Sequence, residues 1–156
     1  MGRRTKPQTG YKDLEAYKLA EIICDATANF AEHNTVGRSE TIELMVQAAQ
    51  SAKQNIADGS TASGKSEAEL IGAARTNLQE LLLQYQEFLK QNDLELWPKD
   101  HEKVLFIRKL AYDEEKSYET YKRYIEDETP ETAANAMVCL ILQATYLLDR
   151  LMQEIE

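Results

Sequence analysis

The chain has 156 residues, of which 43% are hydrophobic and 29% are charged, and its formal net charge is −9. These values are typical of one globular domain, and they exclude a disordered chain and a generally basic, phosphate-binding surface. The two cysteines, Cys24 and Cys139, are far apart in sequence and have no ligand-type neighbours. We interpret them as buried small side chains rather than as a disulfide or a reactive thiol.

Residues 1–10 are predicted to form a flexible basic arm that contains Arg3, Arg4 and Lys6. No apolar stretch follows these residues, so the pattern does not predict a secretory signal. The longest uncharged run, residues 132–148, is 17 residues long, which is shorter than the roughly 20 apolar residues of a membrane span. We therefore expect a cytoplasmic protein that does not cross a membrane.

Two helices are predicted in the first part of the domain. Apolar residues recur at a spacing of three and four from about Asp13 to His33, which indicates the first helix. Ser39 is the predicted N-cap of the second helix, which has one apolar face. We expect Gly59 to end this helix in the left-handed conformation, and Asn55 on its last turn to bond the loop backbone.

A polar linker is predicted over residues 58–66, before the third helix. Ser66 to Glu69 has the form of a capping box, so the helix is expected to begin there and to continue to about Asn92. Its apolar positions form the most regular run in the chain: Leu70, Ile71, Ala74, Leu78, Leu81, Leu82, Tyr85, Phe88 and Leu89.

Residues 93–129 form an acidic insertion, in which short helices are predicted over 104–110 and 118–126. Residues 93–156 contain eight basic and fifteen acidic residues, and so carry most of the net charge. Four of the eight tyrosines lie here, at Tyr112, Tyr118, Tyr121 and Tyr124. Their rings either pack against the rest of the domain or form an exposed recognition patch, and the first interpretation is favoured.

The last helix is predicted from Thr129-Pro130, an N-cap followed by proline at the first helical position, to about Glu154. It is apolar nearly all round, so it must be covered on every side. The cover is expected to come either from residues 98–126 or from a neighbouring subunit. The second alternative favours a homo-oligomer.

Residues 59–66 match the P-loop pattern G-x-x-x-x-G-K-[ST] at every position. A nucleotide-binding P-loop follows a buried parallel strand, whereas residues 47–57 are rich in alanine and glutamine at helical spacing. We therefore predict no nucleotide site. A weak anion site at the N-terminus of the third helix is retained as a hypothesis for Gly64, Lys65 and Ser66.

No catalytic, cofactor-binding or metal-binding residues are predicted. His33 and His101 lie near predicted helix ends, where solvent-facing or capping roles are favoured over ligation or proton transfer. The acidic residues lack the Glu-x-x-His pattern of di-metal bundles. The pattern favours a non-enzymatic protein without a cofactor.

The stretch Gln47–Ser60 resembles the signature of the 23S rRNA intervening-sequence family of four-helix bundle proteins. Asn55, Ile56, Ala57, Asp58 and Gly59 match it, with aspartate in place of glutamate. The opening, residues 11–20, is also similar, and residues 93–155 resemble a longer variant, the four helix bundle suffix proteins. This chain has no basic residue at 45–49, where the family often has an arginine pair.

The resemblance implies an up-and-down antiparallel bundle that assembles into a ring, commonly a pentamer. It also implies kinship with the accessory proteins of diversity-generating retroelements, which bind nucleic acid and a reverse transcriptase.

We therefore predict an all-α fold: an up-and-down antiparallel four-helix bundle over residues 11–156, with an extra short helical segment before the last helix. The predicted function is that of a homo-oligomeric scaffold or adaptor that binds a protein partner. The alternative is a nucleic-acid-binding accessory factor that uses Arg3, Arg4, Lys6 and Lys53. An enzyme dependent on nucleoside triphosphates would rest on residues 59–66 alone and ranks last.

Overall fold

The computed structural model describes residues 14–34 and 39–155, and within these ranges it contains six α-helices and no strand. The prediction of an all-α fold is confirmed, whereas the predicted arm of residues 1–10 lies outside the described residues. The helices are α1 (Glu15–Asn34), α2 (Ser39–Ser60), α3 (Gly64–Gln91), α4 (Glu102–Leu110), α5 (Tyr118–Glu126) and α6 (Pro130–Glu154).

The four long helices contact one another in a closed order. α1 packs against α2 and α6, and α3 packs against the same two helices. Arg75 in the first half of α3 pairs with Asp149 near the end of α6, with 2.6 Å between the nitrogen and the oxygen. The segment that follows α3 bonds instead to Asn135, near the start of α6. α3 and α6 therefore run in opposite directions.

Large side chains bridge α1 and α3 through the core. The hydroxyls of Thr27 and Tyr85 lie 2.8 Å apart, so each buried group has a hydrogen-bond partner. The ring of Phe30 meets the rings of Tyr85 and Phe88 edge to face, with centroids 5.0 and 4.9 Å apart. Burial raises the pKa of the Tyr85 hydroxyl well above its usual value. This cluster therefore connects α1 and α3, which are not adjacent in the closed order of helix contacts.

The connection between α2 and α3 differs from the predicted nine-residue linker. α2 continues through Gly59 to Ser60, residues 61–63 form the turn, and α3 begins at Gly64 with a φ of 59°. The predictions that Gly59 ends α2 and that Ser66 begins α3 are therefore wrong. Gly59 is buried in the helix, and a Cβ atom there would lie 2.9 Å from Cδ1 of Ile71. Gly59 therefore lies where α2 and α3 approach closely, rather than in the turn.

α4 and α5 cover the first half of α6. Both short helices were predicted from the sequence, and both contact α6. Every residue from Thr132 to Ile141 is buried. Beyond this stretch, the side chains of Leu142 and Tyr146 are 52% and 60% exposed. Of the two predicted sources of cover, residues 98–126 therefore supply it for the first half of the helix, and part of the second half faces outward.

Candidate functional site

The basic residues predicted to contact nucleic acid are only partly described. Arg3, Arg4 and Lys6 lie outside the described residues. Lys53 is half-buried on α2. Burial raises the pKa of the Cys24 thiol, and the positive charge of Lys53 opposes this effect.

The residues that match the P-loop pattern do not form a phosphate-binding loop. Gly59 and Ser60 belong to α2, whereas Gly64, Lys65 and Ser66 form the first turn of α3. No strand precedes them in the ranges that the structure describes. Lys65 and Ser66 are exposed, so the cation of the hypothetical weak anion site is accessible to solvent.

The signature residues of α2 hold α2 to α3. The Asn55 side chain donates a hydrogen bond of 2.8 Å to the side-chain oxygen of Asn77 on α3, rather than bonding the loop backbone as predicted. Ile56 and Ala57 are buried in the core. Asp58 accepts a hydrogen bond of 2.9 Å from Gln54 on its own helix and faces solvent. Asn55, Ile56 and Ala57 therefore face other parts of the fold, whereas Asp58 does not.

A cleft of about 720 Å³ lies between the N-terminal turns of α1, helix α4 and the middle of α6. Its volume falls within the range typical of small-molecule sites, roughly 300–1,000 Å³. The lining is mainly apolar and aromatic: Leu19, Trp97, Val104, Ala111, Tyr112, Val138, Leu142, Tyr146 and Leu147. The side chains of Leu142 and Tyr146 that are exposed on α6 are therefore one wall of this cleft.

Three cations and one carboxylate also line the cleft, namely Lys99, Arg108, Lys116 and Glu15. The Lys116 side chain is almost fully buried and forms a short ion pair with Glu15. Glu15 also pairs with Lys18 at 3.5 Å. Lys99 and Arg108 form no ion pair within residues 14–34 and 39–155. The cleft is thus locally basic in a chain whose net charge is −9.

The α6 side of the cleft contains Cys139 and Gln143. Burial raises the pKa of the Cys139 thiol to about 11, and the smaller effect of the Arg108 charge opposes it. The thiol is therefore protonated at neutral pH and is a poor nucleophile. Gln143 donates a hydrogen bond of 3.1 Å to the backbone oxygen of Arg108. Its own side-chain oxygen is buried and has no donor in the described part of the chain.

The segment before α4 is attached to α6 by backbone and side-chain hydrogen bonds. Asn135 accepts from the Trp97 backbone N–H at 2.8 Å and donates to the Glu95 backbone oxygen at 2.9 Å. The Trp97 indole N–H donates to the Glu131 carboxylate at 2.8 Å. His101 caps α4, as predicted, and its ring stacks on Trp97 with centroids 4.1 Å apart. Trp97 is therefore held in a fixed position at the cleft.

The tyrosines of the acidic insertion have different environments. Tyr121 and Tyr124 are buried against the rest of the domain, which confirms the favoured interpretation for these two rings. Tyr118 is half-buried and bonds the Glu126 carboxylate. Tyr112 is exposed at the rim of the cleft. One of the four rings is therefore exposed to solvent.

The cleft was not predicted from the sequence, although one signal for it was present. Val104 and Arg108 are four residues apart and share the face of α4 that lines the cleft, and Tyr112 continues this spacing just beyond the end of the helix. The opposite walls of the cleft come from α1 and α6. How these helices lie relative to α4 is determined by the tertiary fold. The spacing of residues therefore indicates which face of α4 lines a cleft, but it does not indicate which helices lie opposite that face.

The ionisable side chains that line the cleft are three cations, one carboxylate, one thiol and two tyrosine hydroxyls. No histidine lines it, and its single carboxylate, Glu15, is occupied by two lysines. His33 lies elsewhere, with its ring nitrogen 2.8 Å from the Asn29 backbone oxygen. In the part of the chain that the structure describes, no three His, Cys, Asp or Glu side chains are grouped in a way that could hold a metal ion.

α6 is long and apolar enough to cross a membrane by length and composition alone, and 67% of its most apolar window is buried inside the structure. The core helix of a globular protein has the same properties. A scan against protein-family models and searches of curated proteins and of solved structures find no match to the chain.

Proposed function

We propose that this protein is a non-enzymatic, cytoplasmic helical scaffold that binds other proteins, and that its first partner is another copy of the same chain. One observation carries this proposal. Leu105 and Phe106 lie side by side on α4 and are 46% and 52% exposed. Of the nine residues of α4, Ile107 is the one that is buried. We call Leu105 and Phe106 the α4 patch.

The α4 patch is held in a defined orientation, which favours specific association. His101 caps the helix, and Lys103 pairs with Glu128 at 3.0 Å. The Phe106 ring lies against the Tyr124 ring, with centroids 6.2 Å apart. A pre-organised apolar pair loses little conformational freedom when it is buried by a partner. Exposed apolar patches on a charged surface are typical of protein contacts.

The finer architecture belongs to the same proposal. We infer that α1, α2, α3 and α6 form an up-and-down antiparallel four-helix bundle, with α4 and α5 attached to its side. The closed order of helix contacts and the opposite directions of α3 and α6 support it. Membership of the 23S rRNA intervening-sequence family, and a ring of five chains, would follow from the resemblance of residues 47–60.

The proposal is tested by native mass spectrometry without nuclease treatment. We expect an oligomer, and a ring of five chains of 17.8 kDa would have a mass of about 89 kDa. Leu105→Ser combined with Phe106→Ser should dissociate it, because the apolar area of the α4 patch is removed. Leu44→Ser combined with Leu83→Ser, which changes exposed leucines on α2 and α3, is the matched control and should leave the mass unchanged.

A monomeric wild-type chain would contradict the scaffold proposal. If both double variants dissociated the oligomer equally, the α4 patch would not be the contact between the chains. Extra mass from retained nucleic acid would favour the alternative function, a nucleic-acid-binding accessory factor, and that mass should then be lost steeply as salt is raised.

A further inference from the structure

We propose that the cleft between α1, α4 and α6 binds an amphipathic carboxylate, a small organic anion with an apolar body. This binding function goes beyond the scaffold and does not depend on it, because the α4 patch lies on the outer side of α4 and does not line the cleft. The argument rests on the shape, the apolar walls and the charges of the cleft.

The apolar walls fit the body of the ligand. Leu19 of α1, Val138 of α6 and Val104 of α4 face the same space of about 720 Å³. Leu142 and Tyr146 extend this wall toward solvent and are more than half exposed. Removing such area from water is favourable in proportion to the area buried. An aliphatic or aromatic ligand body would cover these side chains.

The cations of the cleft select a negatively charged head group. Lys116 is already neutralised by Glu15, whereas Lys99 and Arg108 have no ion-pair partner in the described ranges. A guanidinium can bind a carboxylate through two parallel hydrogen bonds. Gln143 bonds the backbone oxygen of Arg108 and thereby fixes this part of α4 against α6. The head group is therefore expected at Arg108, with Lys99 beside it.

The same charges disfavour one other occupant, the chain's own N-terminal segment. Residues 1–13 contain four basic residues and one acidic residue. Like charges in contact weaken association, so this segment is a poor match to a cleft with two unpaired cations. The other alternative is that a second copy of the chain occupies the cleft. The experiment below distinguishes this alternative from a small ligand.

Trp97 provides a direct readout, because it is the only tryptophan in the chain and it lines the cleft. The purified full chain is titrated at neutral pH with dodecanoate, methyl dodecanoate or dodecylammonium, below the concentrations at which these probes aggregate. We expect saturable changes in Trp97 fluorescence with dodecanoate. Its affinity should be at least about fivefold higher than that of the neutral ester or the cation, since only the carboxylate can pair with Arg108.

Two variants of α4 form a matched pair. Arg108→Gln should weaken dodecanoate binding by about fivefold or more and leave ester binding unchanged. Lys109→Gln removes the same charge from the adjacent, exposed position, which does not line the cleft, and should have little effect. Leu142→Asp should abolish binding of dodecanoate and of methyl dodecanoate, because it places a carboxylate in the apolar wall.

Three results would overturn the proposal. The first is equal affinity for the three probes, and the second is an equal loss of affinity in both α4 variants. The third combines two observations: the wild type binds none of the probes, and Leu142→Asp changes the native mass of the assembly. That result would assign the cleft to a second copy of the chain. The Leu105→Ser, Phe106→Ser double variant should still bind dodecanoate, so failure of the scaffold proposal is distinguishable from failure of this one.

Discussion

Two fully buried tyrosines differ in whether their hydroxyl has a hydrogen-bond partner. The Tyr85 hydroxyl pairs with the Thr27 hydroxyl at 2.8 Å. The Tyr121 hydroxyl is buried without a partner in the described part of the chain, and burial raises its pKa. A buried polar group that is left unpaired costs roughly 1–3 kcal/mol relative to the hydrated state. The two hydroxyls therefore have opposite effects on stability.

We expect Tyr121→Phe to raise the free energy of unfolding by about 1 kcal/mol, because it removes an unpaired buried group. Tyr85→Phe should lower it by about 1–2 kcal/mol, since the Thr27 hydroxyl is then left buried alone. Urea unfolding followed by circular dichroism measures both. If Tyr121→Phe destabilised the protein as much as Tyr85→Phe, the hydroxyl of Tyr121 would have to have a partner.

Single-residue predictions from the sequence succeeded where burial alone decided them. Cys24 and Cys139 are free and buried, as their apolar surroundings indicated. The prediction for Asn55 was wrong, because its partner, Asn77, is 22 residues away on another helix. Helical spacing shows which face of a helix is apolar, whereas it does not show which polar side chain stands opposite an amide.

At the scale of elements, Gly59 at the end of α2 and Gly72 in the first half of α3 have different surroundings. A Cβ atom added to Gly72 of α3 meets nothing within 4 Å, whereas one added to Gly59 of α2 meets Cδ1 of Ile71 at 2.9 Å. Alanine stabilises a helix interior by about 1 kcal/mol relative to glycine. The two positions therefore separate helix propensity from interhelical packing.

Gly72→Ala should raise the free energy of unfolding by about 0.5–1 kcal/mol, which is the gain in helix propensity alone. Gly59→Ala should give a smaller gain or a loss, because Ile71 must move to admit the new methyl group. Thermal and urea unfolding of both variants test this. An equal gain at both positions would mean that α2 and α3 do not need glycine at their contact.

The bounds of α5 and the end of α4 agree with the prediction, whereas α4 begins two residues before its predicted start. Local signals mark both N-termini: an N-cap at His101 and a capping box at Ser117 with Thr120. The turn between α2 and α3 could not be predicted, since Gly59 and Ser60 have the composition of a loop. In the fold Gly59 lies close to Ile71 of the next helix, and both Gly59 and Ser60 are buried. Packing overrides local preference at this position.

At the scale of the whole molecule, Asn135 attaches the acidic insertion to α6. It makes three hydrogen bonds of 2.8–2.9 Å, to the Trp97 N–H and to the backbone oxygens of Glu95 and Glu131. The residue itself is buried. The Asn135 amide therefore holds the segment that leads into α4, together with the bond of the Trp97 indole to Glu131 and the bond of Gln143 to the Arg108 backbone oxygen.

We expect Asn135→Leu to lower the free energy of unfolding by about 2–4 kcal/mol, because backbone groups of the attached segment lose their partners. Asn92→Ala is the control: its side chain bonds the Phe88 oxygen on the exposed end of α3, and its loss should cost less than about 1 kcal/mol. Urea unfolding gives both values, and the emission of Trp97 should shift to longer wavelength in Asn135→Leu alone. Equal costs for the two variants would show that the attachment contributes little.

The sequence alone showed that α6 needs cover on every side, but it could not choose between the insertion and a second subunit. The choice depends on contacts between residues far apart in the chain, such as the ion pair between Glu15 and Lys116, which are separated by 101 positions. The cleft has the same origin, because its walls come from α1, α4 and α6. No local pattern records such an arrangement.

The position of α6 between α1 and α3 has a consequence for synthesis on the ribosome. α6 follows the other five helices in the chain, so α1, α2 and α3 emerge while the apolar faces that will receive α6 are still in water. Domains that complete their core with a late segment expose apolar surface until that segment is released, and this surface is prone to aggregation. The nascent chain therefore has an interval in which a chaperone that recognises apolar helix faces would bind it, and the arrival of Thr132 to Ile141 ends that interval.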